Sequence, residues 1–206
     1  MDLDSLKGRF SFISTFISTI FPVVWALILI CFSIKKEEYL RKVIIIGIPL
    51  FFILFLFTAT FWSFLQYHAW ENNPISKFLL PPYTPISYFY QYCFLHFFSG
   101  FCLALGGAIF TGFLFWIFQK KNYVNSGETL LAVLAVLFSG WPNLIIFLLL
   151  TLTLAILYSL LQNYRKRGQK RVFLLYPMLI SLISTLLFGN FLINHIGMAA
   201  LRMPSL

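Results

Sequence analysis

The run SGETLLAVLAVLFSGWPNLIIFLLLTLTLAILYSLL, from Ser126 to Leu161, decides how this chain is organised. As one helix it would be about 54 Å long, at a rise of ~1.5 Å per residue. A bilayer's hydrocarbon core is only about 30 Å thick. Gly140-Trp141-Pro142-Asn143 interrupts the run, and proline is at ease in the first turn of a new helix. The pattern therefore predicts two helices, 126–139 and 142–161. The first is about 21 Å long by the same rise and short for a span.

Working outward, the flanking apolar blocks read as further spans over 10–34, 43–66, 87–118 and 172–194. No charged residue occurs from Phe10 to Ile34 or from Val43 to Gln66. Blocks this long without a polar face are spanning helices rather than amphipathic surface helices. The short alternating segments of a membrane barrel are absent. Of the 206 residues 60% are hydrophobic and 10% charged, too few polar groups to coat a water-soluble core of this size. The expectation is an all-α polytopic transmembrane bundle of about six spans, forming one domain over 1–206. Between the second and third spans, His68 to Ser87 reads as a loop, because Pro74, Pro81, Pro82 and Pro85 forbid regular helix. Gly100, Gly106, Gly107 and Gly112 give the third span a small-residue face for close packing.

Loop charge tests the count. With six spans, eleven of the fifteen Lys and Arg fall on one side, in 35–42, 119–125 and 163–171. With Ser126–Leu161 unbroken the split is seven against eight, which is no bias. The positive-inside rule thus favours the broken helix, with both termini outside and the chain in a plasma membrane, although Lys7 and Arg9 then lie outside. The net charge of +9 belongs to these short loops, where it meets anionic lipid headgroups; it does not indicate nucleic acid. The partners expected are the lipid bilayer and other membrane proteins. The first apolar block is too long for the core of a cleavable leader. Cys31, Cys93 and Cys102 all lie in apolar stretches and predict no disulfide framework.

Acids are scarce: Asp2, Asp4, Glu37, Glu38, Glu71 and Glu128. Glu128 opens the fourth helix in Asn125-Ser126-Gly127-Glu128-Thr129. One reading is a capping box, with Asn125 as the cap and Glu128 reaching back to its N–H. The other is a membrane-embedded catalytic acid, since an ionisable group at membrane depth is a functional candidate by default. A second cluster falls on the opposite side of the membrane: His68, Glu71, His96 and His195, with Asn72, Asn73, Asn143, Asn190 and Asn194. Such residues can bind a divalent metal or run acid–base chemistry. Equally, with Tyr67, Trp70, Tyr88 and Trp141, they form an interfacial aromatic belt. Neither an H-E-x-x-H pair nor a phosphate, dinucleotide or G-x-S-x-G motif is present, so no cofactor is indicated.

The run Gly127-Glu128-Thr129-Leu130-Leu131-Ala132-Val133-Leu134, followed by Gly140-Trp141 and a span, resembles the second half of prepilin and preflagellin peptidases. These membrane aspartic proteases carry Gly-x-Gly-Asp at the inner start of a short Leu- and Ala-rich helix, often ended by Gly-Trp. A basic loop and a Pro-containing last span follow, as in Arg165–Arg171 and Tyr176-Pro177. The resemblance covers about 70 residues, 122–190. It implies six spans with the motif opening the fourth. Glu128 then stands where the motif has aspartate, and Asn125 where it has its first glycine. The family's second acid belongs near Cys31–Ile34, which holds none; Glu37 and Glu38 follow. The resemblance thus implies a degenerate, noncatalytic relative acting in a membrane assembly such as a secretion or pilus system. The alternatives are an active peptidase using Glu128, and a transporter or lipid-handling enzyme with an outward site at His68, Glu71 and His96.

Overall fold

The structure, a computed structural model, describes residues 20–33, 37–164 and 174–197. Among them there is no strand, and the all-helical bundle expected from the sequence is what forms. The helices are α1 (Phe21–Ser33), α2 (Glu37–Asn72), α3 (Ile86–Lys120), α4 (Ser126–Ser139), α5 (Asn143–Tyr164) and α6 (Leu175–His195). Four of them, α2, α3, α5 and α6, are long and apolar enough to cross a membrane, which makes the chain compatible with an integral membrane protein. The first half of the expected 10–34 span lies outside the described residues, as do 172 and 173.

The break at Gly140 is present. Gly140 has φ +64°, a left-handed conformation suited to glycine, and it caps α4 by donating its N–H to the Val136 carbonyl at 3.2 Å. Leu144 N–H then bonds the Gly140 carbonyl at 2.8 Å as α5 begins.

α4 is the centre of the bundle. Ten of its fourteen residues are buried, including Leu131, Leu134, Ala135 and Val136, which are completely enclosed. A helix apolar on every side is stable only when surrounded. Around it stand Ala26 and Leu29 of α1, Ile44 of α2, Ala108 of α3, Leu144 and Phe147 of α5, and Met178, Leu179 and Leu182 of α6. The outer helices turn large side chains away from this core: Phe57, Phe110, Phe113, Phe188 and Phe191 are all more than half exposed. Such faces suit lipid, where an exposed apolar ring carries no penalty.

Successive helices alternate in direction. Gln119 at the end of α3 meets Thr129 at the start of α4, whose Oγ1 lies 3.3 Å from the Gln119 Oε1. At the other end, Phe138 of α4 packs its ring 5.9 Å from Phe21 of α1 and 5.1 Å from Phe51 of α2. One end of the bundle therefore holds Arg41, Lys42, Lys120 and Lys121. The opposite end holds the histidines and the proline-rich connection.

Two readings from the sequence need correction. The segment 68–87 is not wholly loop. Proline first appears at 74, so α2 runs on through His68 and Glu71 to Asn72. A short 3-10 turn, Ser76–Leu79, follows, its start held by Asn73 Oδ1, which accepts the N–H groups of Ile75 and Ser76. Leu80 tucks against Trp70, Phe89 and Cys93 to close the α2–α3 hairpin. Nor do the four glycines of α3 form one contact face. A Cβ on Gly107 would lie 3.3 Å from Leu144, and one on Gly112 3.0 Å from Val133, whereas Gly100 and Gly106 have nothing within 4 Å. At ~100° per residue, 106 and 107 cannot both face α4.

Truncating Leu134 to Ala should cost about 2 kcal/mol, the packing share of the usual Leu→Ala penalty. Truncating Phe110, which faces outward, should change little. Thermal unfolding of the two variants in the same detergent checks this, and equal losses would contradict the assignment of α4 as the core.

Candidate functional site

At the basic end, Asn125 and Glu128 form the capping box that the sequence offered as one reading. Glu128 Oε2 accepts the Asn125 backbone N–H at 2.9 Å. Its other oxygen does something the sequence did not foretell: Oε1 accepts the N–H of Leu174, the N-cap of α6, also at 2.9 Å. The carboxylate is only 6% exposed, yet both oxygens are occupied by main-chain donors. It sits where the starts of α4 and α6 converge, and their N-terminal dipoles favour a negative charge there. Glu128 is thus a staple between two helix starts 46 residues apart.

An aspartic-protease dyad needs a second carboxyl sharing a proton across a few Å. Of the other described carboxylates, Glu38 is bound at 2.8 Å to Lys42, one turn along α2. That ammonium, by hydrogen bond and charge, holds the Glu38 carboxyl below its ordinary range. Glu71 is at the opposite end of the molecule. Asp2, Asp4 and the side chain of Glu37 lie outside the described residues.

At that opposite end the structure separates the residues that the sequence grouped. His68 Nδ1 and Glu71 Oε2 lie 3.2 Å apart on the last turn of α2, both solvent-accessible. His195 stacks on Phe191, one turn back on its own helix, with ring centroids 5.5 Å apart. His96 lines a cavity, and Asn143 and Asn190 of the same group line it too. There α3 is broken by a π turn, Phe94–Phe98, a distortion often found at functional positions. His96 donates from Nδ1 to the Tyr92 carbonyl at 2.8 Å and stacks on the Tyr92 ring at 4.0 Å. A carbonyl only accepts, so the neutral ring keeps Nε2 as an acceptor.

This cavity has a volume of about 430 Å³ and lies over the C-terminal end of α4. Ser139, Asn143 and Asn190 join His96 in lining it, with rings from α2 and α3 including Phe55 and Phe101. No Asp, Glu, Lys or Arg lines it. The cavity is large enough for a small organic molecule. Asn143 lines it from the first turn of α5, and its Oδ1 is buried without a hydrogen-bond partner. That oxygen presses on Gly189, where a Cβ would come within 3.0 Å of it. Among the described residues no group of three His, Cys, Asp or Glu side chains is placed to hold a metal ion.

Sequence reasoning singled out Glu128 with its partner Asn125, His96, Asn143 and Asn190, but neither Leu174 nor the π turn. Leu174 carries no signal, because its contribution is a backbone N–H. The π turn has none either, since Phe-Leu-His-Phe-Phe reads as ordinary helix.

Replacing Glu128 by Ala should orphan the Asn125 and Leu174 donors and destabilise the protein by about 1–3 kcal/mol for each. Thermal unfolding in detergent measures this, and hydrogen exchange at the start of α6 should accelerate with it. An unchanged melting curve would contradict the staple.

Compared with protein-family models, curated proteins and solved structures, the chain matches none.

Proposed function

We propose that this protein is a noncatalytic membrane component, a degenerate relative of the prepilin peptidases, that serves in a multiprotein assembly. One observation carries the reading. The acid standing at the motif position has both oxygens committed to main-chain N–H groups, and no described carboxylate is placed to share its proton. A general acid or base must be aimed at substrate, whereas these two bonds hold the Glu128 carboxyl group against the starts of α4 and α6. Glu128 instead takes the role of a fixed helix staple, which keeps the family's packing after the chemistry is gone. The short Leu- and Ala-rich α4 and the Gly-Trp turn at 140–141 support the kinship. The orientation proposed from loop charge has both termini outside a plasma membrane, with Glu128 at the inner face.

The competing active-peptidase reading predicts cleavage. Purified protein reconstituted in vesicles and incubated with a leader-bearing prepilin should give no processed product at any pH. Cleavage that Glu128→Gln abolishes would overturn the noncatalytic reading.

Orientation is checked separately. In a cysteine-free background, a single cysteine at Asn143 should react with an impermeant maleimide added to intact cells. Cysteines at Ser126 or Gln169 should stay unlabelled. Labelling at Ser126 without Asn143 would invert the orientation.

A further inference from the structure

The cavity of about 430 Å³ over the C-terminal end of α4 is lined by polar groups that mostly accept hydrogen bonds. His96 spends its Nδ1–H on the Tyr92 carbonyl and keeps a lone pair at Nε2, to which nothing donates among the described residues. The Ser139 hydroxyl donates to the Ala135 carbonyl at 2.7 Å, and the Thr58 hydroxyl to the Leu54 carbonyl at 2.8 Å. Each hydroxyl has used its single proton within its own helix and offers the cavity lone pairs only. Asn143 is the counterpart: its Oδ1 is pressed against Gly189, so Nδ2 is the end of the amide left to donate. A guest held here has to bring a donor to meet these acceptors.

The remaining walls select the body and charge of that guest. Phe55 of α2 and Phe101 of α3 stack with ring centroids 4.1 Å apart, and Phe138 of α4 lies 5.1 Å from Phe51. Aromatic walls favour a flat ring, which they meet by stacking or edge-on. Phe51, Phe55 and Thr58 also set the depth, because all three lie inside the uncharged block 43–66. At that level an ion would lose its water, and no Asp, Glu, Lys or Arg lines the cavity to meet its charge. The rings would attract an ammonium ion, but that attraction is smaller than the cost of burying a charge without a counter-ion. A phenol has the three properties required: a flat ring, an O–H to donate, and no charge at neutral pH.

We propose that this cavity binds one neutral phenolic ring, its O–H donated to His96 Nε2 and its ring held among Phe55, Phe101 and Phe138. The head of a membrane quinol and a free phenol both carry this group. The site does not depend on whether Glu128 is catalytic, since the two lie at opposite ends of α4.

The test is equilibrium dialysis of the full chain in nanodiscs, with empty nanodiscs alongside to subtract partition into lipid. β-Naphthol should bind saturably at one per chain. Its methyl ether keeps the rings but has no donor, and should bind about tenfold more weakly because one acceptor is left unmet. His96→Phe keeps a ring against Tyr92 but removes Nε2, and should erase that preference. Gly100 lines the cavity, and a Cβ there would meet nothing within 4 Å. Gly100→Phe should therefore fill the hollow and abolish binding of both probes while thermal unfolding stays unchanged. The ether comparison is made on the unaltered protein and does not depend on either variant folding. Displacement of β-naphthol by a decyl-tailed benzoquinol would point to a membrane quinol as the guest, and displacement by free phenols alone to a soluble one; both support the site. Absence of saturable binding, or equal affinity for β-naphthol and its ether, would overturn the proposal. So would tighter binding of the naphthylmethylammonium ion, or binding that survives Gly100→Phe.

Discussion

A helix of fourteen residues is about 21 Å long and cannot bridge a hydrocarbon core of about 30 Å by itself. The rest of this structure follows from accommodating such a helix. α4 is apolar on every side, so it must be wrapped; the other five helices do the wrapping and give their own outer faces to the surroundings. Its ends fall short of its neighbours' ends, and in a bilayer an unsatisfied backbone group there costs several kcal/mol. At the start, Asn125 and Glu128 supply the missing partners. At the finish, Gly140 turns back to Val136, and the Ser139 hydroxyl bonds the Ala135 carbonyl at 2.7 Å. The same shortness opens the cavity over Gly140, because longer helices rise on each side of it.

Much of this was legible from residues close together in sequence. The break at Gly140-Trp141-Pro142 could be read because glycine and proline interrupt the run there; length alone does not mark it, since α2 continues unbroken for the same 36 residues. The capping box could be read because its two members are three positions apart and mark a helix start. What escaped was whatever depended on distant chain. Nothing near Glu128 announces that its second oxygen reaches Leu174. The continuation of α2 through His68 was hidden by four prolines that all come later, and the glycines of α3 looked alike until the neighbours of each were known. Among the candidate site residues, proximity in sequence gave the right end of the molecule but the wrong grouping. His68 and Glu71 satisfy each other, His195 rests on Phe191, and of the three histidines His96 lines the cavity, beside Asn143 and Asn190.

The two ends of the bundle differ in kind. The basic end is tied down by the buried carboxyl group of Glu128, which accepts two backbone N–H bonds from two helix starts. The other end keeps a hollow lined by no Asp, Glu, Lys or Arg, with one orphaned amide oxygen at Asn143 pressed against Gly189. The fold needs the tied end, because two helix starts meet there. The hollow end is free to be shaped by other demands.

The π turn at Phe94–Phe98 carries a consequence for how this protein can change. It fits one more residue into a turn than an α-helix would, so the pattern of buried positions shifts by one residue across it while the two halves of α3 keep their facing. Phe89 and Cys93 before it pack toward Trp70; Ala104 and Ala108 after it are buried along the bundle. Removing one residue there would let the turn close to ordinary α-helix and leave both packed faces in place. A one-residue deletion in the regular parts of α3 has no such slack and would act as a rotation of about 100°.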